Sequence, residues 1–251
     1  MSIKKLSIIT VGYKNYNEII KTMVSIDSQK EKPFENILVI KGLDANEKSI
    51  LQKKFKKNYR SFIFDSDNSI FNAMNLGIKK STGNFIFFLN SGDIFYSINS
   101  IGMILNNIAR NKEFNYAFKT LQQYQNLKII RDNEINYNGK FYPPPHQGFI
   151  APLDKSLLYN EDLKVSADND WMFKNIQKRK TIILNDILCI FQLGGQSTYP
   201  YIRTIYLFLI HENYKSLLRI LLKFFISLFL TKKEYYKFIA KRRSFKYYES
   251  K

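Results

Sequence analysis

The chain has 251 residues, of which 45% are hydrophobic and 16% aromatic, and its formal net charge is +18. This length and composition allow a substantial core, in one large mixed domain or two small ones. The single Cys189 has no partner for an intrachain disulfide or a zinc cluster, which favours a reduced, intracellular setting.

Short apolar runs alternate with helix-like segments in the first part of the chain. The N-terminal MSIKKLSIITVGY has too short an apolar run for a signal peptide, so we interpret it as the first strand. Continuous apolar runs that predict buried parallel strands lie at 6–11, 36–41, 61–64 and 85–89. Helix-like crossover segments lie between them at 17–28, 47–57 and 70–80. The alternation predicts an α/β fold with a mostly parallel sheet and helices on both faces.

Four polar segments follow the predicted strands, at 10–15, 41–44, 65–67 and 90–93. We expect them at one edge of the sheet, because ligands bind beyond the carboxyl ends of parallel strands where the winding reverses. Asp93 would there hold a hard cation such as Mg²⁺ or Mn²⁺ on a diphosphate, and Gly92 would allow a tight turn. Asn, Ser, Gly and Asp also dominate ordinary turns, so spacing alone leaves both interpretations open.

A longer stretch decides between these interpretations. DNSIFNAMNLGIKKSTGNFIFFLNSGDIF (67–95) resembles the segment of bacterial family-two glycosyltransferases that leads through an Ala-Met-Asn-x-Gly helix to a metal-binding acidic motif. SIITVGYKN (7–15) is similar to that family's first strand and nucleotide-binding loop. Further similarity is carried by HQGFI (146–150) and LKVSADNDWMFK (163–174), on the acceptor side, and by GGQS (194–197). The resemblance covers roughly residues 6–198.

The resemblance implies a GT-A fold and a sugar transfer that inverts the anomeric carbon. The nucleotide-binding half would span about 1–96 and the acceptor-binding half about 97–198. Asp93 would hold Mn²⁺ or Mg²⁺ on the diphosphate of a nucleotide-sugar, with a UDP-sugar expected, and Asp168 would be the base for the acceptor hydroxyl. The implied donor-binding residues are Thr10, Tyr13, Asn15, Asp44, Asp67, Asn75, Asn90, Ser91 and Gly92. The implied acceptor-binding residues are His146, Gln147, Asp170 and Trp171.

Several of these residues allow a second interpretation. Asp168 and Asp170 share a face only if their stretch is extended, and Asp170 is also expected to cap a helix that begins near Trp171. His146 follows three prolines, which impose a stiff, extended approach. Contact with the acceptor, a metal bond and no role all remain open for this histidine.

Two positions depart from the family pattern. Lys41 and Gly42 stand where an acidic residue usually helps to recognise the nucleotide base. Asp67 is therefore the expected contact in the nucleoside pocket, with Asp44 as a substitute and Lys41 as a candidate contact of a phosphate. Asn, Ser and Gly occupy positions 90–92, where relatives often have further aspartates. Because one carboxylate remains, we expect weak metal affinity.

The C-terminal tail, residues 199–251, carries much of the positive charge. Residues 215–251 contain eleven Lys or Arg and two Glu, which is half of the net excess. In the apolar segment 214–230 the polar residues recur every fourth position, which predicts a helix with one narrow polar ridge. The run is too short and too charged to span a bilayer, so we expect a helix lying on an anionic membrane surface. Packing on the body or on a second copy of the chain, as a homodimer, remains open, and nucleic acid is disfavoured.

These features together predict a bacterial glycosyltransferase, peripheral at the cytoplasmic face of the inner membrane. The expected reaction moves a sugar from a UDP-hexose to a lipid-diphosphate-linked saccharide and forms a β-linkage. The resemblance further implies O-antigen or capsule synthesis. A non-catalytic, membrane-associated nucleotide-sugar-binding relative and a nucleotidyltransferase remain alternatives.

Overall fold

The computed structural model describes residues 5–64, 69–111, 113–133, 136–137, 140–141, 143–163, 166–194 and 214–249. The described helices are α1 (Tyr16–Asp27), α2 (Ala45–Lys54), α3 (Ile70–Lys80), α4 (Ser100–Arg110), α5 (Ala167–Lys178), α6 (Tyr214–Leu228) and α7 (Lys232–Arg242). The described strands are β1 (Leu6–Tyr13), β2 (Glu35–Lys41), β3 (Arg60–Phe64), β4 (Phe85–Phe88), β5 (Ile94–Phe95), β6 (Asn115–Tyr124), β7 (Leu127–Arg131), β8 (Asn136–Tyr137), β9 (Lys140–Phe141), β10 (Phe149–Pro152), β11 (Thr181–Gln192) and β12 (Lys246–Glu249). A 3₁₀ turn, His146–Gly148, precedes β10 and is called the 146–148 turn below.

The first half of the sheet is parallel, in the order β4-β1-β2-β3. Ile9 of β1 lies between Ile37 of β2 and Phe88 of β4. The winding reverses at β1, because the chain moves from β1 to β2 on one side and returns from β3 to β4 on the other. All four predicted strands and the three predicted crossover helices are present, which confirms the predicted α/β architecture.

The second half of the sheet is mainly antiparallel. Beyond β4 follow β10, β6, β7 and β12, each antiparallel to the strand before it. Strand β11 runs parallel to β6 and antiparallel to the short β5. Because β5 begins directly after Asp93, the acidic turn is held between β4 and a strand that pairs with β11.

The core lies on both faces of the sheet. Leu6 and Ile8 of β1 belong to a cluster with residues of α1 and α4, whereas Ile9 and Val11 belong to a cluster with residues of α3 and α5. Successive residues of a strand point to opposite faces, so a strand covered on both faces needs an unbroken apolar run. This requirement explains the sequence signal that identified the strands.

The tail is partly joined to the sheet. Tyr235, Tyr236 and Ala240 of α7 are buried in a third cluster with Leu127 and Ile129 of β7, and β12 pairs with β7. These two tyrosines are therefore packed against the sheet and are not available to a membrane surface. None of the described helices is long and apolar enough to cross a membrane. The proposed boundary at residue 198 falls outside the described residues.

Candidate functional site

The carboxyl end of β1 forms one wall of the candidate site. Tyr13 is 56% exposed, and Lys14 has a left-handed backbone (φ 52°) whose N–H donates to the carbonyl of Lys41 at 3.0 Å. That bond ties the end of β1 to the end of β2. Asn15 occupies the N-cap position of α1, but its side chain makes no capping hydrogen bond. The side chains of Tyr13 and Asn15 thus lie at the winding reversal, as predicted.

The turn 90–93 forms the opposite wall. The N–H of Ser91 donates to the carbonyl of Val11 at 3.0 Å, which fixes the turn against β1. Gly92 has φ +94°, a conformation that other residues adopt with strain. A side chain at Gly12 would place its Cβ 2.9 Å from Ile19, so the close approach of β1 to α1 also requires glycine.

Thr22 of α1 holds this turn in place. Its hydroxyl donates to the carbonyl of Asp93 at 2.8 Å and accepts from the N–H of Gly92 at 3.0 Å. The side chain is fully buried. Sequence reasoning missed Thr22, because a threonine on the apolar side of a helix carries no local sign of a partner some seventy residues away.

Three buried oxygen atoms at this crevice have no hydrogen-bond donor among the described residues. They are Asn15 Oδ1, Asn90 Oδ1 and Ser91 Oγ. Buried polar atoms are nearly always paired in folded proteins, and leaving one unpaired costs about 1–3 kcal/mol. Three such atoms at the ends of β1 and β4 therefore mark a place where a ligand would complete the hydrogen bonding.

Asp93 lies just beneath this surface and is 4% exposed. Burial raises the pKa of its carboxyl well above the usual value, whereas the backbone N–H groups of Gln192 and Asn90 act in the opposite direction by stabilising the ionised form. A bound cation would act in the same direction as those N–H groups.

The donor atoms at this turn suit a hard divalent ion only in part. Among the described residues, no group of three or more His, Cys, Asp or Glu side chains is placed to hold a metal ion. The carboxyl of Asp93 and the unpaired oxygens of Asn90 and Ser91 are nevertheless the oxygen ligands that Mg²⁺ and Mn²⁺ prefer. Asp93, Asn90 and Ser91 thus offer ligand atoms of the right chemical type for such an ion, but only one of them carries a negative charge.

Several residues predicted to bind the donor nucleotide-sugar make hydrogen bonds within the protein. Thr10 is fully buried and its hydroxyl accepts from Asn36 Nδ2 at 3.4 Å. The Asn75 amide donates to the carbonyl of Tyr159 at 3.0 Å and accepts from its N–H at 2.8 Å. Asp44 caps α2, with Oδ1 accepting from the N–H of Glu47 at 2.8 Å. Internal groups thus engage polar atoms of all three residues, and direct contact of these residues with the donor stays a prediction. Asp67 lies outside the described residues.

The 146–148 turn lies on the acceptor side of the sheet. His146 is buried, and its Nε2 shares a hydrogen bond with the hydroxyl of Tyr159 at 2.6 Å. Its ring packs against Phe88 and Trp171, with centroids 5.2 and 6.1 Å away. Burial lowers the pKa of His146 to about 4, so the imidazole is neutral near pH 7. The Nε2 atom of His146 is thus engaged by Tyr159, and the role of this residue toward the acceptor or a metal stays a prediction.

Gln147 connects this turn to the acidic turn. Its backbone carbonyl accepts from Cys189 Sγ at 2.9 Å. Burial raises the pKa of Cys189 well above its usual value, and the nearby charge of Asp93 raises it further. Cys189 therefore lies between Asp93 and Gln147, and β11 joins the two sides of the candidate site.

Helix α5 carries the predicted base. The helix begins at Ala167, with Ser166 at the N-cap position, so the prediction that Asp170 caps a helix starting near Trp171 is wrong. Asp168 and Asp170 are both inside the first turn and do not share a face. Asp168 Oδ1 accepts from the N–H of Asn169 at 2.9 Å, and Asp170 pairs with Lys174 at 2.7 Å.

Trp171 lies in the core rather than at a surface. It is 1% exposed, its Nε1 donates to the carbonyl of Leu157 at 3.0 Å, and its ring stacks on Tyr159 at 5.1 Å. The charge of Asp168 helps to raise the pKa of Tyr159, which places Asp168 near the tyrosine that bonds to His146. The 146–148 turn therefore lies between the surroundings of Asp93 and those of Asp168.

The chain is similar in sequence to curated glycosyltransferases of Rickettsia. The chain is 38% identical over 180 residues to an uncharacterized glycosyltransferase of Rickettsia bellii, which covers 65% of this chain and 25% of that protein. It is 33% identical over 148 residues to an uncharacterized glycosyltransferase of Rickettsia felis, covering 59% of this chain and 22% of that protein. The match thus spans about a quarter of the length of these curated relatives.

Solved structures with the same fold confirm the GT-A architecture. TarS 1–349 of S. aureus in complex with UDP superposes with a TM-score of 0.63 at 16% identity, covering 82% of this chain and 65% of that one. The mannosyltransferase PcManGT of Pyrobaculum calidifontis, in complex with GDP-Man and Mn²⁺, gives a TM-score of 0.56 at 11% identity, covering 77% of this chain and 58% of that one. The sequence profile described as Glycosyl transferase family 2 matches residues 7–161. The chain belongs to glycosyl transferase family 2.

Proposed function

We propose that the chain is an active glycosyltransferase that moves a sugar from a nucleotide-sugar to an acceptor hydroxyl, with a UDP-hexose as the first candidate donor. The unpaired oxygens of Asn15, Asn90 and Ser91 carry this proposal, because they lie where the winding of the sheet reverses and ligands bind in such folds. Family membership supports it, and so do the UDP and GDP-Man complexes of proteins with the same fold. Tyr13 and Lys14 would border the nucleotide.

The donor side would use the turn 90–93. A divalent ion held by Asp93, with the oxygens of Asn90 and Ser91, would neutralise the charge that develops on the leaving diphosphate. Thr22 fixes the turn, so the carboxyl of Asp93 would meet the ion in one orientation. Because a single carboxyl contributes charge, we expect weak Mn²⁺ binding that becomes tight only when UDP is present. Tight Mn²⁺ binding in a titration without nucleotide would contradict this expectation.

Asp168 would take the proton of the acceptor hydroxyl in an inverting transfer. Its position in the first turn of α5 suits a carboxylate, because the N-terminal end of a helix is positive. An ionised aspartate can accept a proton as the hydroxyl attacks the sugar carbon, which would give a β-linked product from an α-linked donor.

Donor hydrolysis tests the reaction class. The full chain is incubated with a panel of UDP- and GDP-sugars, and release of free UDP or GDP is measured for the wild type and for Asp93→Asn. Release that the variant abolishes supports the transferase. UDP-sugar binding without release would instead indicate a non-catalytic relative, and release of pyrophosphate from a nucleoside triphosphate would indicate a nucleotidyltransferase.

A matched pair of substitutions tests the base. Asp168→Asn should keep donor affinity while transfer to an acceptor falls about 10²-fold or more. Asp170→Asn, two positions after Asp168 in the same helix, is the control, because the carboxylate that it removes already pairs with Lys174. Transfer retained in Asp168→Asn would remove Asp168 from the base role.

The acceptor that we propose is a lipid-diphosphate-linked saccharide at the cytoplasmic face of the inner membrane, in O-antigen or capsule synthesis. The exposed apolar side chains near the end of α6 support attachment to a membrane surface: Leu222, Phe225, Leu228 and Phe229 are 51–86% exposed. Lysines and arginines of α7 and its neighbourhood would meet anionic headgroups. A homodimer that covers the same apolar residues is the competing outcome.

Vesicle binding tests this attachment. The full chain should float with vesicles that contain phosphatidylglycerol but not with pure phosphatidylcholine, and added salt should weaken the binding. Phe225→Asp combined with Phe229→Asp should abolish flotation, whereas Ile50→Asp, at an exposed apolar position of α2, should not. A chain that dimerises and fails to float would overturn the proposed attachment.

A further inference from the structure

The C-terminal tail reaches the acceptor half of the molecule. Strand β12 pairs with β7 so that Lys246 lies opposite Ile130, and one step further along this register brings Phe245 opposite Arg131. Arg243 ends α7, where its N–H donates to the carbonyls of Ile239 and Ala240. The docking of α7 and β12 thus brings Arg243 within two residues of the position facing Arg131.

Arg131 lies on the face of the sheet that carries the 146–148 turn. It pairs directly with Thr120 of β6, and side chains of directly opposed residues point to the same face. A Cβ on Gly148 would lie 3.2 Å from Thr120 Cγ2, so this face is covered by the turn that contains His146. The register therefore places Arg131 on the same face as the 146–148 turn, which helix α5 contacts.

The electrostatic interactions of Arg131 agree with the position that the strand pairing gives it. Burial, together with the smaller effect of the like charge of Arg243, lowers the pKa of Arg131 to about 10, whereas the charge of Asp168 acts in the opposite direction. Arg131 thus lies within electrostatic reach of a second guanidinium group and of one carboxylate. Two positive charges held together repel, and an anion between them would remove that repulsion.

A buried hydroxyl adds a second sign of a ligand. Thr120 is fully buried, and its Oγ1 has no hydrogen-bond partner among the described residues. A buried hydroxyl can donate to an anion, and guanidinium groups match the geometry of phosphate oxygens. These groups together have the composition of a phosphate site.

We propose that Arg131, Arg243 and the Thr120 hydroxyl form a phosphate subsite beside Asp168, and that the phosphate belongs to the acceptor. This inference rests on the proposed function, which assigns Asp168 to the acceptor hydroxyl. Because the subsite adjoins the proposed base, the reacting hydroxyl would belong to the sugar that bears the phosphate or to the next one. The substrate class is therefore a short glycosyl phosphate or diphosphate, and the tail, through Arg243, is part of the acceptor site.

Phosphate binding tests the subsite without requiring turnover. Inorganic phosphate is titrated into the full chain saturated with UDP, which occupies the nucleotide crevice, and binding is followed by calorimetry and by fluorescence of Trp171, the sole tryptophan, one turn after Asp168. Arg243→Gln should weaken phosphate binding about tenfold or more, since hydrogen bonds to charged groups are the strong ones. Arg242→Gln, the adjacent exposed arginine, is the control and should change affinity less than about twofold.

Three further outcomes are informative. Binding of UDP without any phosphate binding, or equal phosphate affinity in wild type and Arg243→Gln, would overturn the subsite and leave the proposed function intact, with Arg131 and Asp168 as a structural ion pair. Failure to bind UDP would instead contradict the proposed function.

Competition by two phosphate-bearing molecules tests whether the subsite binds the phosphate of a sugar or that of a lipid headgroup. Glucose 1-phosphate should compete with inorganic phosphate at the subsite, and short-chain phosphatidylglycerol should compete less well. Stronger competition by the phospholipid would assign the subsite to a lipid headgroup and overturn its assignment to the acceptor.

Discussion

At the scale of single residues, the acidic turn depends on a threonine that makes no ligand contact. Thr22→Val removes a hydroxyl that donates to the carbonyl of Asp93 and accepts from the N–H of Gly92, so two backbone groups lose a buried partner. We expect the free energy of unfolding to fall by about 1–3 kcal/mol and donor hydrolysis to decrease with it. Urea denaturation and UDP release measure the two effects. Thr22→Ser should retain both, and a Val variant with wild-type hydrolysis would separate Thr22 from the turn.

His146 makes the stability of the folded protein depend on pH in the acid range. Its pKa is lowered to about 4 in the folded state, whereas an unfolded chain has a value near 6.5. Between these values the unfolded state binds more protons, so the stabilisation is complete above about pH 6.5 and is lost as the pH falls toward 4. The loss is of the order of 3 kcal/mol.

Urea midpoints measured from pH 7 to pH 4 test this effect. The wild type should lose stability steeply, whereas His146→Gln should be less stable at pH 7 but follow a flatter profile. An unchanged slope in His146→Gln would show that carboxylates alone cause the acid sensitivity.

The sequence predicted where the site residues lie in the fold better than it predicted which groups they contact. Asn90, Ser91, Gly92 and Asp93 were assigned to a ligand crevice from their place after an apolar run, and the structure puts them at the winding reversal. Asn75 was assigned to the donor because it belongs to a motif, yet its amide holds the backbone of Tyr159. A motif records that a side chain is needed, and only the fold shows whether its partner is a ligand or a distant loop.

At the scale of elements, the docking of the tail depends on how α7 begins. Thr231 Oγ1 accepts from the N–H of Glu234, and Glu234 Oε2 accepts from the N–H of Thr231 at 2.8 Å, which forms a capping box. Thr231→Ala should destabilise α7 by about 1 kcal/mol and speed hydrogen exchange in α7 and β12, while exchange in β1 stays unchanged. Thr231→Ser should restore protection. Unchanged exchange in Thr231→Ala would show that tertiary packing alone fixes this helix.

The elements that sequence predicted well are those whose signal is local. Strands β1 and β4 are buried on both faces and are therefore mostly apolar, with only Ser7 and Thr10 interrupting the run 6–11 of β1. Helix α3 was predicted at its observed bounds. Strand β12, with the sequence KYYE, carries no such run and its residues are exposed. It forms because the edge of β7 is available to pair with it, which is a long-range condition.

At the scale of the whole molecule, the tail is expected to stabilise the body. Deletion of residues 231–251 would expose Leu127 and Ile129 and leave the edge of β7 unpaired, which favours aggregation. We expect the thermal midpoint to fall by about 5 °C or more, since a few degrees correspond to about 1 kcal/mol in a chain of this size.

The contribution of surface charge to this docking can be separated from that of the buried contacts. Glu249→Gln removes the ion pairs of Glu249 with Lys233, at 2.6 Å, and with Lys237, and all three side chains are substantially exposed. Exposed pairs contribute little to stability, so this variant should shift the midpoint by no more than about 3 °C and keep the tail docked. If the truncated chain keeps the wild-type midpoint in differential scanning calorimetry, the tail is an independent part. If Glu249→Gln lowers the midpoint as much as the deletion does, charge rather than the packing of Tyr235 and Tyr236 holds the tail to the sheet.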